Sequence, residues 1–216
     1  MGFFSAFLDI LFPPKCVFCS KILNKPDDGW CDKCTESLPY ADDSGRQDGE
    51  FFDFCVSPLY YTGVVRQSIL RYKFRDAPQY ADIYGKILAE CIRENQDTNY
   101  DIISWVPLSK NHENTRGYDQ AKLLATQVAD EFKAQAVQTL KKPHNVRAQS
   151  ELGDKTERSA NIKGAYCIID PELVKNKRIL LIDDVITTGS SLDECSKTLL
   201  FAGAAGVVCA TLARGE

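Results

Sequence analysis

The chain has 216 residues, of which 44% are hydrophobic and 26% charged, the make-up of an ordinary globular protein long enough to bury one substantial core. That composition excludes a disordered or collagen-like chain. Lysine and arginine total 26 against 30 acidic residues, a formal charge of −4, so there is no chain-wide basic field and any contact with nucleic acid must be local.

The opening run, MGFFSAFLDILF, is too short to span a bilayer, which needs ~20 apolar residues. Position six is Ala6 where an N-myristoylation signal wants Ser or Thr. The run reads as a short helix docking on the protein's own body or on a partner, with a membrane surface as the other reading. Next come Cys16, Cys19, Cys31 and Cys34, spaced as C-x2-C, eleven residues, C-x2-C. Each pair lets two sulfurs of one tight turn face the same ion, so the quartet reads as a tetrahedral Zn2+ site, with an iron–sulfur centre or redox dithiol as alternatives. With all four positions filled by protein the metal is structural, stapling a segment too small for its own core. Lys15, Lys21, Lys25 and Lys33 are offset by Asp27, Asp28, Asp32 and Glu36, which favours docking or stapling over phosphate binding. Cys55, Cys91, Cys167, Cys195 and Cys209 are scattered and read as buried thiols; so many unpaired thiols, with no secretory signal, point to a reducing cytoplasm. Residues 40–50 are polar and turn-rich, a linker by composition. The first fifty residues hold five basic and nine acidic side chains and so carry the whole net charge. A small acidic module over residues 1–45 therefore precedes a neutral domain over 51–216.

Residues 51–62 have strand-like content, and 63–75 fit a helix with Val65, Ile69 and Tyr72 on one side. Arg66, Arg71, Lys73 and Arg75, interleaved with Tyr72 and Phe74, form the nucleic-acid candidate, since cations track phosphates while aromatics stack bases. The alternative is the polar face of a helix over a sheet. Residues 80–94 form a helix with Ile83, Ile87, Leu88 and Cys91 at helical spacing, and 100–107 a buried strand ending at Pro107. An amphipathic helix follows over 117–134, burying Leu123, Leu124, Val128 and Phe132. Residues 141–163, with six basic and three acidic side chains, read as a long exposed loop, a length that is usually functional. The histidines, His112 and His144, fall in loops and are given no role. Strands at 165–169 and 178–183, a helix from Ser190 to about Ala202 and a strand at 207–212 complete the chain. Strands alternating with helices predict an α/β fold, a mainly parallel sheet with helices on both faces. Ligands in such folds sit at the carboxyl ends of strands, here the loops after Val106 and Ile182 and the stretch before Ala165.

The segment RILLIDDVITTGSS (178–191) is an apolar strand, two carboxylates, then a turn opening a helix. Backbone N–H groups and hydroxyls at the helix start suit a phosphate, and Gly189 lets the backbone approach it closely. Asp183 and Asp184 suit hydroxyls, and adjacent carboxylates ending an apolar strand are costly unless something binds them. A ligand with a phosphate at one end and a diol nearby matches both halves. A Lys just past a strand end, Lys110, and Arg116 beside Gly117 suit a second anionic group.

This segment resembles the phosphoribosyl-pyrophosphate (PRPP) motif of type I phosphoribosyltransferases. Read together with the cysteine quartet, Trp105–Leu108, Arg116–Ala121, Arg147-Ala148-Gln149, Arg158 and Asn161–Tyr166, the chain resembles the ComF family (ComFC/GntX-like), which joins a zinc ribbon to a phosphoribosyltransferase-like domain. The family commonly has Phe-Asn-Gln where this chain has Tyr118-Asp119-Gln120. By that resemblance Asp183 and Asp184 contact the ribose hydroxyls of PRPP, Val185 belongs to the same PRPP-binding set, Thr187, Thr188, Gly189, Ser190 and Ser191 hold its 5′-phosphate, and Pro107, Leu108, Ser109 and Lys110 face the pyrophosphate with its Mg2+. Asp183, Asp184, Lys110 and Arg116 are then the catalytic candidates, and Arg147, Gln149 and Arg158 belong to a flexible cover that closes over the anion. The resemblance implies a competence protein assisting uptake and handling of single-stranded DNA in natural transformation, beside a helicase-like (ComFA-type) ATPase, in the cytoplasm or at the inner face of the membrane. The alternatives are an active transferase moving phosphoribose from PRPP to a nucleobase or amine by positioning and charge stabilisation, or a PRPP-sensing adaptor without turnover. The four residues after Leu212 leave little for a base-recognising hood.

Overall fold

The computed structural model describes residues 13–23, 29–95, 99–109, 117–143 and 165–216. The opening run 1–12, Lys110, Arg116 and the cover residues Arg147, Gln149 and Arg158 lie outside them. The elements are α1 (Asp32–Ser37), β1 (Cys55–Val56), β2 (Leu59–Tyr60), α2 (Gly63–Phe74), α3 (Tyr80–Glu94), β3 (Ile102–Trp105), α4 (Gln120–Glu131), β4 (Leu140–Lys141), β5 (Cys167–Ile168), α5 (Pro171–Val174), β6 (Arg178–Ile186), α6 (Ser190–Phe201) and β7 (Gly206–Arg214).

The main sheet runs β1-β7-β6-β3, all parallel, with β2 extending β1 along β7. Pro58 has no N–H to give the ladder, so β1 and β2 are separate, yet the register is kept across the gap: Val56 pairs Ala210 and Leu59 pairs Ala213. Between them the Ser57 and Thr211 hydroxyls meet at 2.7 Å. The two central strands are mostly apolar because both faces are covered, with Asp183 and Asp184 breaking the run near the end of β6. Leu180, Ile182, Val208 and Ala210 pack with α2, α3 and α4, whereas Ile179, Leu181, Val207 and Cys209 pack with α6.

Away from the site, two expectations change in detail. The strand expected at 165–169 is a two-residue strand, β5, pairing antiparallel with β4 in a ribbon separate from the main sheet. Cys167, expected buried, is therefore only partly covered there, while Cys55, Cys91, Cys195 and Cys209 are buried. The run 40–50 is not a loose linker. Ala41 N–H donates to Pro58 O, Gln47 exchanges backbone bonds with Cys55, and Asp193 of α6 accepts from the amides of Glu50 and Phe51 at 2.8 and 3.0 Å. Its polar composition reflects a segment laid along the open side of β1 and β2, where unpaired backbone groups need partners.

The cysteine module packs on the α2–α3 surface. Val17 and Phe18, between the first two cysteines, are buried in the same core as Tyr72 and Tyr84. Phe18 meets the Trp30 ring edge-on at 6.3 Å and Tyr84 at 6.2 Å. Among the described residues no helix is long and apolar enough to cross a membrane.

Candidate functional site

Side chains alternate along a strand, so β6 sends Asp184 to the face covered by α2–α4 and Asp183 to the face covered by α6. The strand runs to Ile186, beyond the expected end at residue 183, so both carboxylates lie within the strand, before its last two residues. Both line one cavity of about 280 Å3 at the carboxyl edge of the sheet. Its other walls are Val106–Ser109 after β3, Asp119–Ala121 at the start of α4, Lys73 from α2, and Lys142, Tyr166, Val185 and Ser191.

Lys73 Nζ lies 2.7 Å from Asp184 Oδ1, with the two side chains 20% and 11% exposed. Burial works against the ammonium, but Asp184 and Asp183 prevail and hold the lysine above its ordinary range. Burial, reinforced by the Asp184 charge and opposed by Lys73, pushes the Asp183 carboxyl up to about 8. Its Oδ1 accepts the Asp184 amide N–H at 2.8 Å. The cluster thus sets one carboxyl against an ammonium and disfavours ionisation of the other.

Asp119 is the residue sequence reading gave no role. It caps α4, Oδ1 accepting from Lys122 N–H at 3.1 Å, while Oδ2 accepts from Leu108 N–H at 3.1 Å. One carboxylate thereby fixes the loop after β3 to the helix opposite. The expected start of this helix at residue 117 moves to Gln120 because Asp119 has extended backbone and serves as the cap. The adjacent Tyr118 donates to Tyr72 O and accepts from Ala77 N–H, and Tyr72 OH donates to Gln120 O at 2.8 Å, bolting the end of α2 to the same place.

Of the expected PRPP contacts, Asp183, Asp184, Val185, Ser191, Pro107, Leu108 and Ser109 line the cavity. Thr187, Thr188, Gly189 and Ser190 form the flanking turn and do not line it. Gly189 sits at φ +75, a left-handed conformation at the head of α6, and the Thr188 and Ser190 hydroxyls meet at 2.9 Å. The basic stripe on α2 is divided. Arg66 and Arg75 are exposed, but Tyr72 is fully buried, Lys73 is in the cavity, and Arg71 Nη2 donates to Val17 O at 2.9 Å and Phe18 O at 2.6 Å. A wider surface trough of about 620 Å3, lined by Lys86, Glu90, Arg93, Glu94 and Glu131, lies at the far ends of α3 and α4, where the chain enters rather than leaves β3.

The four sulfurs of Cys16, Cys19, Cys31 and Cys34 lie within 4.8 Å of one another. Cys16 and Cys34 Sγ are 3.7 Å apart and Cys19 and Cys31 Sγ 3.6 Å, against the roughly 3.8 Å edge of a tetrahedron built on 2.3 Å Zn–S bonds. Cys19 N–H points at Cys16 Sγ at 3.5 Å. Burial opposes the Cys16 thiolate, but backbone N–H groups of residues 18, 19 and 31 outweigh it and lower the thiol to about 7. Cys34 is pushed well up by burial and its three neighbouring sulfurs, a repulsion that a dication at the centre removes. The donor set fits structural zinc.

Residues 7–48 match the family model for a double zinc ribbon domain, and residues 115–216 that for a phosphoribosyl transferase domain. Within 7–48 this chain has four cysteines and no histidine, the ligands for one such ion. The chain is similar to Competence protein F of Haemophilus influenzae, at 27% identity over 86% of this chain and 90% of that protein. It is similar to Competence protein ComFC of Bacillus subtilis, at 27% identity over 71% of this chain and 61% of that one. DNA utilization protein YhgH of Salmonella typhi is 30% identical over 73% of this chain and 72% of its own.

Proposed function

Because this chain belongs to the ComF family of competence proteins, with a zinc ribbon ahead of a phosphoribosyltransferase-like domain, we propose that it binds PRPP with Mg2+ at the β6 carboxylates and assists the handling of single-stranded DNA during its uptake. The observation that carries the PRPP reading is one cavity walled by Asp183, Asp184 and Ser191 at the head of α6, within the segment matched as phosphoribosyl transferase. A helix start next to a carboxylate pair takes a phosphate at one end and a diol at the other. On this reading Pro107, Leu108, Ser109 and Lys110 are the pyrophosphate residues and Arg147, Gln149 and Arg158 the cover, of which Pro107, Leu108 and Ser109 are described and wall the cavity. Residues 1–45 act as the zinc-stapled module and 51–216 as the ligand-binding domain, a reading supported by the zinc-ribbon match over 7–48 and the phosphoribosyl transferase match over 115–216.

The names of the relatives support the DNA role. The partner is a helicase-like ATPase of the competence machinery, and contact with single-stranded DNA uses the exposed Arg66 and Arg75 rather than the whole stripe. A reducing cytoplasm, at or near the inner face of the membrane, suits a chain whose nine cysteines are all unpaired.

The test is calorimetric titration with PRPP and Mg2+ and a pyrophosphate-release assay with nucleobases and single-stranded DNA as acceptors. Wild type should bind, and the variant carrying Asp183→Asn with Asp184→Asn should lose binding while keeping its zinc. Binding that survives both substitutions overturns the site. Release that requires one acceptor makes the protein a transferase and names its substrate, whereas binding without release makes PRPP a regulatory ligand.

A further inference from the structure

Lys73 is the one member of the basic stripe on α2 that enters the cavity, and its 2.7 Å contact with Asp184 Oδ1 leaves it no freedom to track a nucleic-acid backbone. The contact is made from a fixed base. One residue earlier, Tyr72 is fully buried and donates to Gln120 O; two residues earlier, Arg71 is held on the carbonyls of Val17 and Phe18; and Ser68, five residues earlier, donates to Val17 O as well. The helix that carries the ammonium is therefore gripped on both sides of it, by the zinc module and by the head of α4.

We propose that Lys73 is a positioning residue of the phosphoribosyl site: it fixes one oxygen of Asp184 and balances its charge, so that the other oxygen is presented as an acceptor to a hydroxyl of the ligand's vicinal diol. This rests on the PRPP reading above. Unpaired, a carboxylate with 11% exposure beside a second carboxyl turns towards whatever donor it finds, and its aim is lost. With the ammonium in place, the two carboxyl groups of β6 keep separate tasks on opposite faces of the strand. A ligand lacking one diol hydroxyl leaves a buried polar oxygen without a partner, which is the chemistry by which such sites discriminate.

The experiment measures calorimetric binding of PRPP with Mg2+, and of ribose 5-phosphate against 2-deoxyribose 5-phosphate, to wild type, Lys73→Met, Lys73→Arg, Asp184→Asn and the Lys73→Met/Asp184→Asn double variant, with melting temperature and zinc content recorded for each. Lys73→Met should weaken PRPP binding roughly tenfold, about the effect of one charge-assisted contact, and reduce the preference for the ribose sugar. Lys73→Arg should restore most of both. The double variant should bind about as weakly as Asp184→Asn alone, because the lysine acts only through that carboxylate. Should the methionine variant not fold, Lys73→Gln, which keeps a neutral donor, is read against the same outcomes. Losses that multiply in the double variant, or a Lys73→Met protein with wild-type affinity and sugar preference, overturn the role of Lys73 and leave the PRPP reading standing. Absence of PRPP binding by wild type overturns that reading itself.

Discussion

Asp183 stores a conflict between folding and ionisation that can be read in solution. Its carboxyl stands at about 8 in the folded protein against an ordinary 3.8. A carboxyl raised on folding contributes stability that is fully present below its unfolded pKa and is lost as pH rises through the folded value. Asp183→Asn, which cannot ionise, should therefore melt higher than wild type, by a margin that opens between pH 4 and pH 8 and then stays flat. A margin that instead opens in acid would show that burial does not govern this group. Lys73 and Asp119 illustrate what sequence alone did and did not disclose. Val65, Ile69, Tyr72 and Lys73 fall at i, i+4, i+7 and i+8, the inward face of a helix, so the spacing already placed the lysine with the core residues; its charge drew it to the polar face instead. For Asp119 no periodic signal exists, because a cap is defined by the backbone leaving the helix and its second partner, Leu108, comes from a different loop.

At the scale of elements, the strongly periodic segments were legible and the short pairings were not. The apolar runs of β6 and β7 and the helices α2, α3 and α6 follow from pattern alone, since their stabilising contacts repeat along the sequence. The two-residue strands β1, β2, β4 and β5 depend on long-range partners, β1 and β2 pairing with β7 on one side and bridging Gln47 and Tyr40 on the other. The pairing of α3 with α4 shows a constraint that pattern reading passes over. A Cβ added at Gly85 would lie 2.4 Å from Gln127 Cβ and 3.2 Å from the Gln127 carbonyl carbon. Gly85→Ala gains helix propensity yet must push the helices apart, and we expect a net loss of about 1–3 kcal/mol, the usual cost of overpacking. Urea unfolding of the variant measures it. An unchanged or higher midpoint would mean that α4 yields freely.

Taken whole, the molecule is two modules that share a core, and only one of them holds the cavity. Cys16→Ser should abolish stoichiometric zinc by metal analysis, because each of the four thiolates fills one corner of the tetrahedron. The carbonyls of Val17 and Phe18, within that first knuckle, are what Arg71 and Ser68 hold, and Lys73 follows on the same helix. If the proposed sugar phosphate binds beside Lys73, metal and sugar phosphate act on one mechanical linkage, and thermodynamic reciprocity then makes each a sensor of the other. If chelation weakens PRPP binding by some factor, saturating PRPP must tighten zinc by the same factor, so the protein should surrender its metal to a competing chelator less readily when the sugar phosphate is bound.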